Sequence, residues 1–364
     1  MIPLPARPRI LVLALRRLGD VLLSTALIRS LRRGFPACKI DALVFDGTEG
    51  ILAGNPDIDC ILLLPQTAKL SDTARMVWRI WRRYDLAVST QTGDRPVALA
   101  FAAAPRRAGP IDDADPSGDW KRRILQVAVP AEEMTHRVEW LLRLADALGV
   151  KRAPDLVTPQ GGEDIAIAEP YAVIHAAPMF RYKQWTAAGW RELCRKLLAQ
   201  GLAVITTGGP DENERRYLDT VWNAEAEVRR LDGGTDWPQL SRLIAGARLY
   251  VGPDTSVTHL AAATGCPTVA IYGPTDPRPW GPWPCGGLAV AWDAAAAVQR
   301  RGNVWLVQNP LPCTPCQLEG CERRRDSFSA CLDELRAQSV FDAIDEALVV
   351  KPASVDTTPE RSVG

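Results

Sequence analysis

An alternation of short apolar runs with amphipathic segments, kept up in both halves, limits most strongly what this chain can fold into. Such runs read as strands buried on both faces, and strands separated by helical patterns build parallel sheets. In the first half the runs are "RILVLAL" (Arg9 to Leu15), "KIDALVF" (Lys39 to Phe45), "CILLL" (Cys60 to Leu64) and "DLAVST" (Asp85 to Thr90). Between the first two, "VLLSTALIRSLRRGF" has helical spacing and a stop at Gly34. The second half repeats the scheme with "YAVIHA", "LAVITTGG", "EVRRL", "RLYVGPDTS" and "TVAIYGP".

The pattern dissolves between Ala104 and Pro130, which reads as a surface loop, and resumes in the amphipathic helix "HRVEWLLRLADALGV". "KRAPDLVTPQGGEDIAIAEP" is polar, rich in Pro and Gly, and reads as a linker. At 364 residues the chain exceeds one ordinary core. The expected division is a Rossmann-like domain over 1–155, a linker over 156–170, and a second Rossmann-like domain over 171–338. A helix over 339–350 follows, with Ser339 and Asp342 as a capping-box-like start, and then a disordered tail over 351–364. Two such α/β domains facing each other across a cleft form the GT-B architecture, with ligands at the strand C-termini.

Basic and acidic residues balance at 43 each, so no global field draws in a nucleic acid. Nine cysteines without a secretory signal fit a reducing compartment. Arg16, Arg17 and Asp20 break the first apolar run well short of the roughly 20 residues a membrane span needs. The expectation is a cytoplasmic protein. No G-x-G-x-x-G follows the first strand and no G-x-x-x-x-G-K-[ST] occurs, which disfavours a dinucleotide oxidoreductase and a P-loop NTPase.

Chemistry concentrates in a few stretches. "RRLGDVLLST" places Asp20 where a strand ends at a sheet rim, although Gly and Asp also punctuate ordinary helix caps. "LYVGPDTSVTHLAAATGCPTVAIYGPTDP" (Leu249 to Pro277) runs a strand into Asp254 and starts a helix near Thr255 or Ser256, with His259 one turn along. Free N–H groups at such a helix start favour a phosphate; an ordinary N-cap is the plainer alternative. Lys183 in "FRYKQW" is placed to neutralise a phosphate or simply to be solvated. Glu212 in "TTGGPDENE" is placed to grip ribose hydroxyls or to favour a helix N-terminus.

These stretches, with "IDALVFDGTEGILAGNPDID" and "WGPW", resemble glycosyltransferase family 9, the ADP-heptose:lipopolysaccharide heptosyltransferases, from Arg9 to about Leu348; "IDALVFDGTEG" looks nearest the heptosyltransferase III type. The resemblance implies an inverting, cofactor-free GT-B transferase at the cytoplasmic face of the inner membrane. It implies Asp20 as catalytic base, Lys183 on the donor diphosphate, Glu212 on the ribose, and Asp254, Thr255, Ser256 and His259 around diphosphate and heptose. Its implied partners are ADP-heptose and a lipopolysaccharide core acceptor. Two departures stand out: Ser256 where many members have glycine, and apolar "AAPMF" where hydroxyl residues are common before the lysine. Alternatives in the same frame are another nucleotide sugar, a protein acceptor, or a binding protein that has lost turnover.

Cys313, Cys316, Cys321 and Cys331 form a C-x2-C-x4-C-x9-C array, read as reduced structural thiols with a structural zinc as the alternative. "RMVWRIWRRY" interleaves tryptophans with Arg79, Arg82 and Arg83; with Arg16 and Arg17 these form a candidate acceptor or membrane face, solvated arginines being the plainer alternative.

Overall fold

The computed structural model describes residues 3–112, 118–167, 170–223, 225 and 227–350. The tail expected over 351–364 lies outside them. The strand-and-helix alternation yields two sheets. The first is six-stranded and parallel, β1 (Arg9–Ala14), β2 (Lys39–Phe45), β3 (Cys60–Leu64), β4 (Leu86–Ser89), β5 (Arg106–Ile111) and β6 (Val127–Pro130), in the order β3-β2-β1-β4-β5-β6. One of its faces is covered by α2 (Thr25–Gly34) and α6 (Arg137–Ala147), the other by α3 (Leu70–Ile80) and α4 (Asp94–Ala103).

The second sheet holds β7 (Tyr171–His175), β8 (Ala203–Gly208), β9 (Arg229–Asp232), β10 (Leu249–Pro253), β11 (Thr268–Tyr272), β12 (Val298–Arg301) and β13 (Val304–Gln308). Its order is β12-β13-β11-β10-β7-β8-β9, parallel except where β12 hairpins onto β13, and α7 (Ala187–Ala199), α8 (Glu212–Trp222), α9 (Trp237–Ala245) and α10 (Ser256–Thr264) link β7 through β11 in turn. Leaving β12 aside, both sheets follow one plan, with the order reversing beside the first strand of each half: between β1 and β4, and between β7 and β10. Such reversal points open a crevice at the strand C-termini.

The expected surface loop over 104–130 is corrected by β5, α5 (Asp119–Ile124) and β6. "RRAGPI" lacks an apolar run, yet its backbone pairs with β4 and β6 and most of it is buried. The C-terminal helix starts at Ala337 rather than Ser339, without a side-chain cap, and packs on the second sheet. The expected single helix after β1 is interrupted at Ser24 between α1 (Leu18–Leu23) and α2. The Ser24 and Thr25 hydroxyls donate back to the Val21 and Leu22 carbonyls at 2.6 Å.

One apolar cluster runs through from the first half to the second, joining Val21, Leu22 and Ile51 to Leu240, Leu243 and Leu260. The segment after α6 is tied to the first half, because Val157 N–H donates to Thr25 Oγ1 and Ala153 N–H to Ser30 Oγ, each at 2.9 Å. At the end of α2 a Cβ on Gly34 would stand 2.3 Å from Val150 Cγ1. Gly34→Ala is therefore expected to destabilise by about 1–3 kcal/mol through overpacking, read as a lowered urea midpoint; an unchanged midpoint would show that Val150 yields freely.

Candidate active site

β1 ends at the reversal point of the first sheet and hands the chain to α1, whose first turn carries Asp20. Asp20 shares a small cavity of about 20 Å³ with Arg16, Thr90, Gln91, Arg137 and Trp140, closed by Leu23 and Leu141, so the chain leaving β1 and β4, the two strands that flank the reversal, supplies its walls. That volume admits roughly one oxygen-sized group. Burial raises the Asp20 carboxyl above its ordinary range, and the charges of Arg16, Arg137 and Arg17 only partly oppose this.

Arg137 was not singled out by its sequence context. Its guanidinium lies 3.9 Å from the Trp140 ring centroid and 4.3 Å from that of Trp280, and its Nε is buried without a hydrogen-bond partner. Burial, with Arg16 adding to it, pulls its pKa down to about 10. Gln91 Nε2 is likewise buried without a partner. The neighbouring His136 caps α6 by accepting from Val138 N–H on Nδ1, so its Nε2 donates to the Gly281 carbonyl at 2.8 Å. That bond fastens the "WGPW" segment of the second half to the first.

The second sheet places its own pair at its own reversal point. Lys183 lies in a one-turn 3-10 helix after β7, and Asp254 directly after β10. Lys183 Nζ meets Asp254 Oδ2 at 2.5 Å, and the Thr275 hydroxyl donates to the same oxygen at 2.6 Å. Burial alone would raise Asp254; the Lys183 charge and hydrogen bond, helped by Thr275 and His259, outweigh it and hold the carboxyl low. Lys183 is correspondingly raised, its partner overcoming the cost of burial.

α10 (Ser256–Thr264) begins beside this pair. Thr255 is its N-cap and accepts from Thr258 N–H, while the Thr258 hydroxyl donates to the Pro253 carbonyl at 2.5 Å. Ser256 takes an ordinary right-handed helical conformation, so serine in place of glycine carries no backbone cost here. His259 is buried with Nδ1 unpartnered, and burial pushes its pKa down to about 4.

The two half-sites face each other across the join between the sheets. A Cβ on Gly19 would lie 3.5 Å from His259 Cδ2 and 3.8 Å from Ser256 Cα, so the Asp20 turn packs directly on the start of α10. Arg17 crosses to the second half, its guanidinium 5.1 Å from the Phe180 ring centroid, whereas Arg16 stays with Asp20. A half-buried carboxylate thus sits beside an oxygen-sized cavity, next to a helix N-terminus and a cation, an arrangement suited to moving a proton on one side and holding an anion on the other.

The family model described as glycosyltransferase family 9 (heptosyltransferase) matches residues 83–301, more than half of the chain. The chain belongs to glycosyltransferase family 9. It is 28% identical over 286 residues to lipopolysaccharide heptosyltransferase 3 of Escherichia coli K12, covering 73% of this chain and 82% of the relative. It is 26% identical over 381 residues to lipopolysaccharide heptosyltransferase 1 of Pseudomonas aeruginosa PAO1, covering 95% and 99%. A family 9 glycosyltransferase of Veillonella parvula superposes with a TM-score of 0.74 at 17% identity, covering 94% of this chain and 97% of that one. The E. coli heptosyltransferase WaaC, solved with ADP, superposes at 0.68 and 21%, covering 93% and 99%. The fold of this glycosyltransferase is GT-B, as the strand pattern led one to expect.

Other expected site residues of the family 9 enzyme stand outside the contacts just described. Glu212 opens α8 (Glu212–Trp222), with its side chain exposed and paired to Arg216. Asp211 is the N-cap, and Glu214 turns inward to accept from Gly209 N–H at 2.5 Å. Arg79, Arg82 and Arg83 lie on α3 and the turn after it, on the helical layer that covers one face of the first sheet. Cys331 is buried, while Cys313 and Cys321 are exposed and Cys316 is half-buried; all are free thiols. Burial, with the neighbouring thiols, pushes Cys331 up to about 12. Among the described residues no three His, Cys, Asp or Glu side chains are placed to hold a metal ion, so the geometry offers the zinc alternative no support. No helix among them is long and apolar enough to cross a membrane.

Proposed function

We propose that this enzyme transfers heptose from ADP-heptose to the inner core of lipopolysaccharide with inversion, Asp20 serving as general base. The observation that carries the reading is the packing of the Asp20 turn on the start of α10, which sets a half-buried carboxylate beside the proposed donor site. The acceptor hydroxyl fills the oxygen-sized cavity and passes its proton to Asp20 as it attacks the anomeric carbon. Departing ADP is met by the N-terminus of α10 and by Lys183. Thr255 and Ser256 are small enough to let the diphosphate approach, and His259 Nδ1 is a buried nitrogen still without a partner. Relatives named for heptosyl transfer to lipopolysaccharide, and the neighbour solved with ADP, support the choice of donor and acceptor. An acceptor of that kind is anchored in lipid, which makes the enzyme peripheral to the cytoplasmic face of the inner membrane. In this scheme the domain division follows the sheets, 1–155 serving the acceptor and 171–338 the donor.

The test is calorimetric binding of ADP-heptose against UDP- and GDP-sugars with EDTA present, followed by transfer to heptose-deficient lipopolysaccharide. Selective binding and transfer are expected; preference for another nucleotide sugar would overturn the donor, and no binding would leave a protein without turnover.

Two substitutions probe the donor side. Lys183→Ala strands the buried Asp254 carboxylate, so a loss of about 3–5 kcal/mol in stability is expected together with weaker ADP binding. Unchanged unfolding and affinity would make Lys183 a bystander. Glu212 is tied only to an exposed helical neighbour, a weak link that ribose hydroxyls can replace. Glu212→Ala is expected to weaken ADP binding by about 10-fold, the worth of a hydrogen bond to a charged group, with no change in melting. Equal affinity in wild type and variant would remove the residue from the ribose site.

A further inference from the structure

Helix α3 carries more apolar surface than its sheet uses. Its apolar positions, from Met76 and Ile80 round through Val77, Leu70 and Ala74 to Trp78, cover roughly 200° of the circumference, about twice the stripe a core-facing helix buries. Met76 and Ile80 are buried against the sheet, whereas Leu70 is 91% exposed, Trp78 76%, and Trp81, just past the helix, 54%. Leu70, Trp78 and Trp81 line a shallow groove of about 720 Å³ with Thr73, Ala74 and Val77. Scattered exposed apolar residues need no explanation, but two exposed tryptophans and a leucine lining one groove do.

The surrounding charge is one-sided. Arg75 and Arg79 lie on the helix, and Arg82 and Arg83 on the turn; the segment from Leu70 to Tyr84 has one acid, Asp72. That carboxylate accepts from Lys69 N–H and pairs with Arg75. Among the described residues, Arg79, Arg82 and Arg83 have no carboxylate within ion-pair distance. The chain as a whole is neutral, so this positive field is local.

We propose that this face of α3 docks on the surface of an anionic lipid bilayer. Trp78 and Trp81 lie at the boundary between headgroups and acyl chains, where an indole keeps its ring in apolar surroundings and its N–H in polar ones. The arginines meet headgroup phosphates. A second copy of the chain fits poorly as the occupant, because a twofold contact through this patch sets arginines against arginines. α3 leaves the C-terminal end of β3 and returns toward the start of β4, so Trp81 sits away from the strand ends that carry the Asp20 cavity. The enzyme thus rests on the membrane by the helical layer that covers one face of its first sheet, with the cleft left open. The proposal supplies the contact surface for the peripheral location above, and to that extent rests on that reading.

The test is co-sedimentation of the full chain with phosphatidylcholine vesicles, with and without phosphatidylglycerol. Wild type is expected to bind only the anionic vesicles, less so as salt rises. Arg79→Gln/Arg82→Gln/Arg83→Gln is expected to lose about 100-fold in partitioning, roughly 5-fold per charge. Trp78→Ala/Trp81→Ala is expected to lose at least about 10-fold with unchanged circular dichroism, since both rings are exposed. Variants that bind as wild type does, wild type that binds no vesicles, or a wild-type dimer abolished by Trp78→Ala/Trp81→Ala would overturn the proposal. Transfer to a delipidated, water-soluble acceptor is expected to be unchanged in the tryptophan variant. If wild type fails that transfer yet binds anionic vesicles, the acceptor reading falls and the docking surface stands.

Discussion

Asp20→Asn is expected to lower kcat by about 10²-fold or more while leaving ADP affinity unchanged, because the amide keeps the shape of the carboxylate but cannot take a proton. The two readouts separate because the sites do: Asp20 belongs to the first sheet, and the proposed diphosphate site to the second. A raised carboxyl pKa adds a pH signature. The base works only when ionised, so the acid limb of kcat/KM is expected to lie above the pH of an ordinary aspartate. Turnover within a few-fold of wild type would remove Asp20 from the role. A fall in ADP affinity equal to the fall in kcat would show instead that the turn holds α10 in place.

A steep loss of stability in mild acid is the second large expectation. The chain has three histidines, and all are buried: His136, His175 and His259. Burial lowers each, His136 to about 3 and the other two to about 4. In the unfolded chain each titrates near 6.5. Below that pH the unfolded state binds up to three more protons than the native one, so stability falls as pH falls until about 4. Three protons correspond to about 4 kcal/mol per pH unit, or on the order of 6 kcal/mol between pH 7 and 5. That is comparable to the whole stability of many proteins. Asp20 and Glu214, both raised, bind protons in the native state and offset part of the loss at the acid end. Urea unfolding followed by tryptophan fluorescence checks this; equal midpoints at pH 7 and 5 would mean that the imidazoles take up protons without unfolding.

What the sequence disclosed and what it concealed divide along physical lines. Strands such as Arg9–Ala14 and Leu249–Pro253 are buried runs whose composition reports their surroundings, so β1–β4 and β7–β11 were legible from periodicity, whereas β6, β12 and β13 escaped it. β5 escaped it too, because Arg106, Arg107, Gly109 and Pro110 imitate a loop. Arg107 reaches its burial by donating to the Ile124 and Ala104 carbonyls, partners that a local pattern does not reveal. In the site, Asp20 and the Asp254 turn announced themselves through Gly, Asp and hydroxyl residues at strand ends. Arg137 and Gln91 did not, since their place beside Asp20 is made by tertiary packing across β1, β4 and α6. Glu212 and Glu214 illustrate the limit of spacing alone: two residues apart on α8, one faces solvent and the other is spent on the Gly209 turn.

The shared strand plan of the two sheets has an evolutionary consequence. Each half contributes one reversal point and one set of loops, so, on the proposed division of labour, substitutions that retune acceptor choice are expected before Tyr171, away from the nucleotide pocket. On the same proposed division, chimaeras joining the second half of this chain to the first half of a relative are expected to take nucleotide preference from one parent and acceptor preference from the other, provided the seam from Gly19 to His259 is kept.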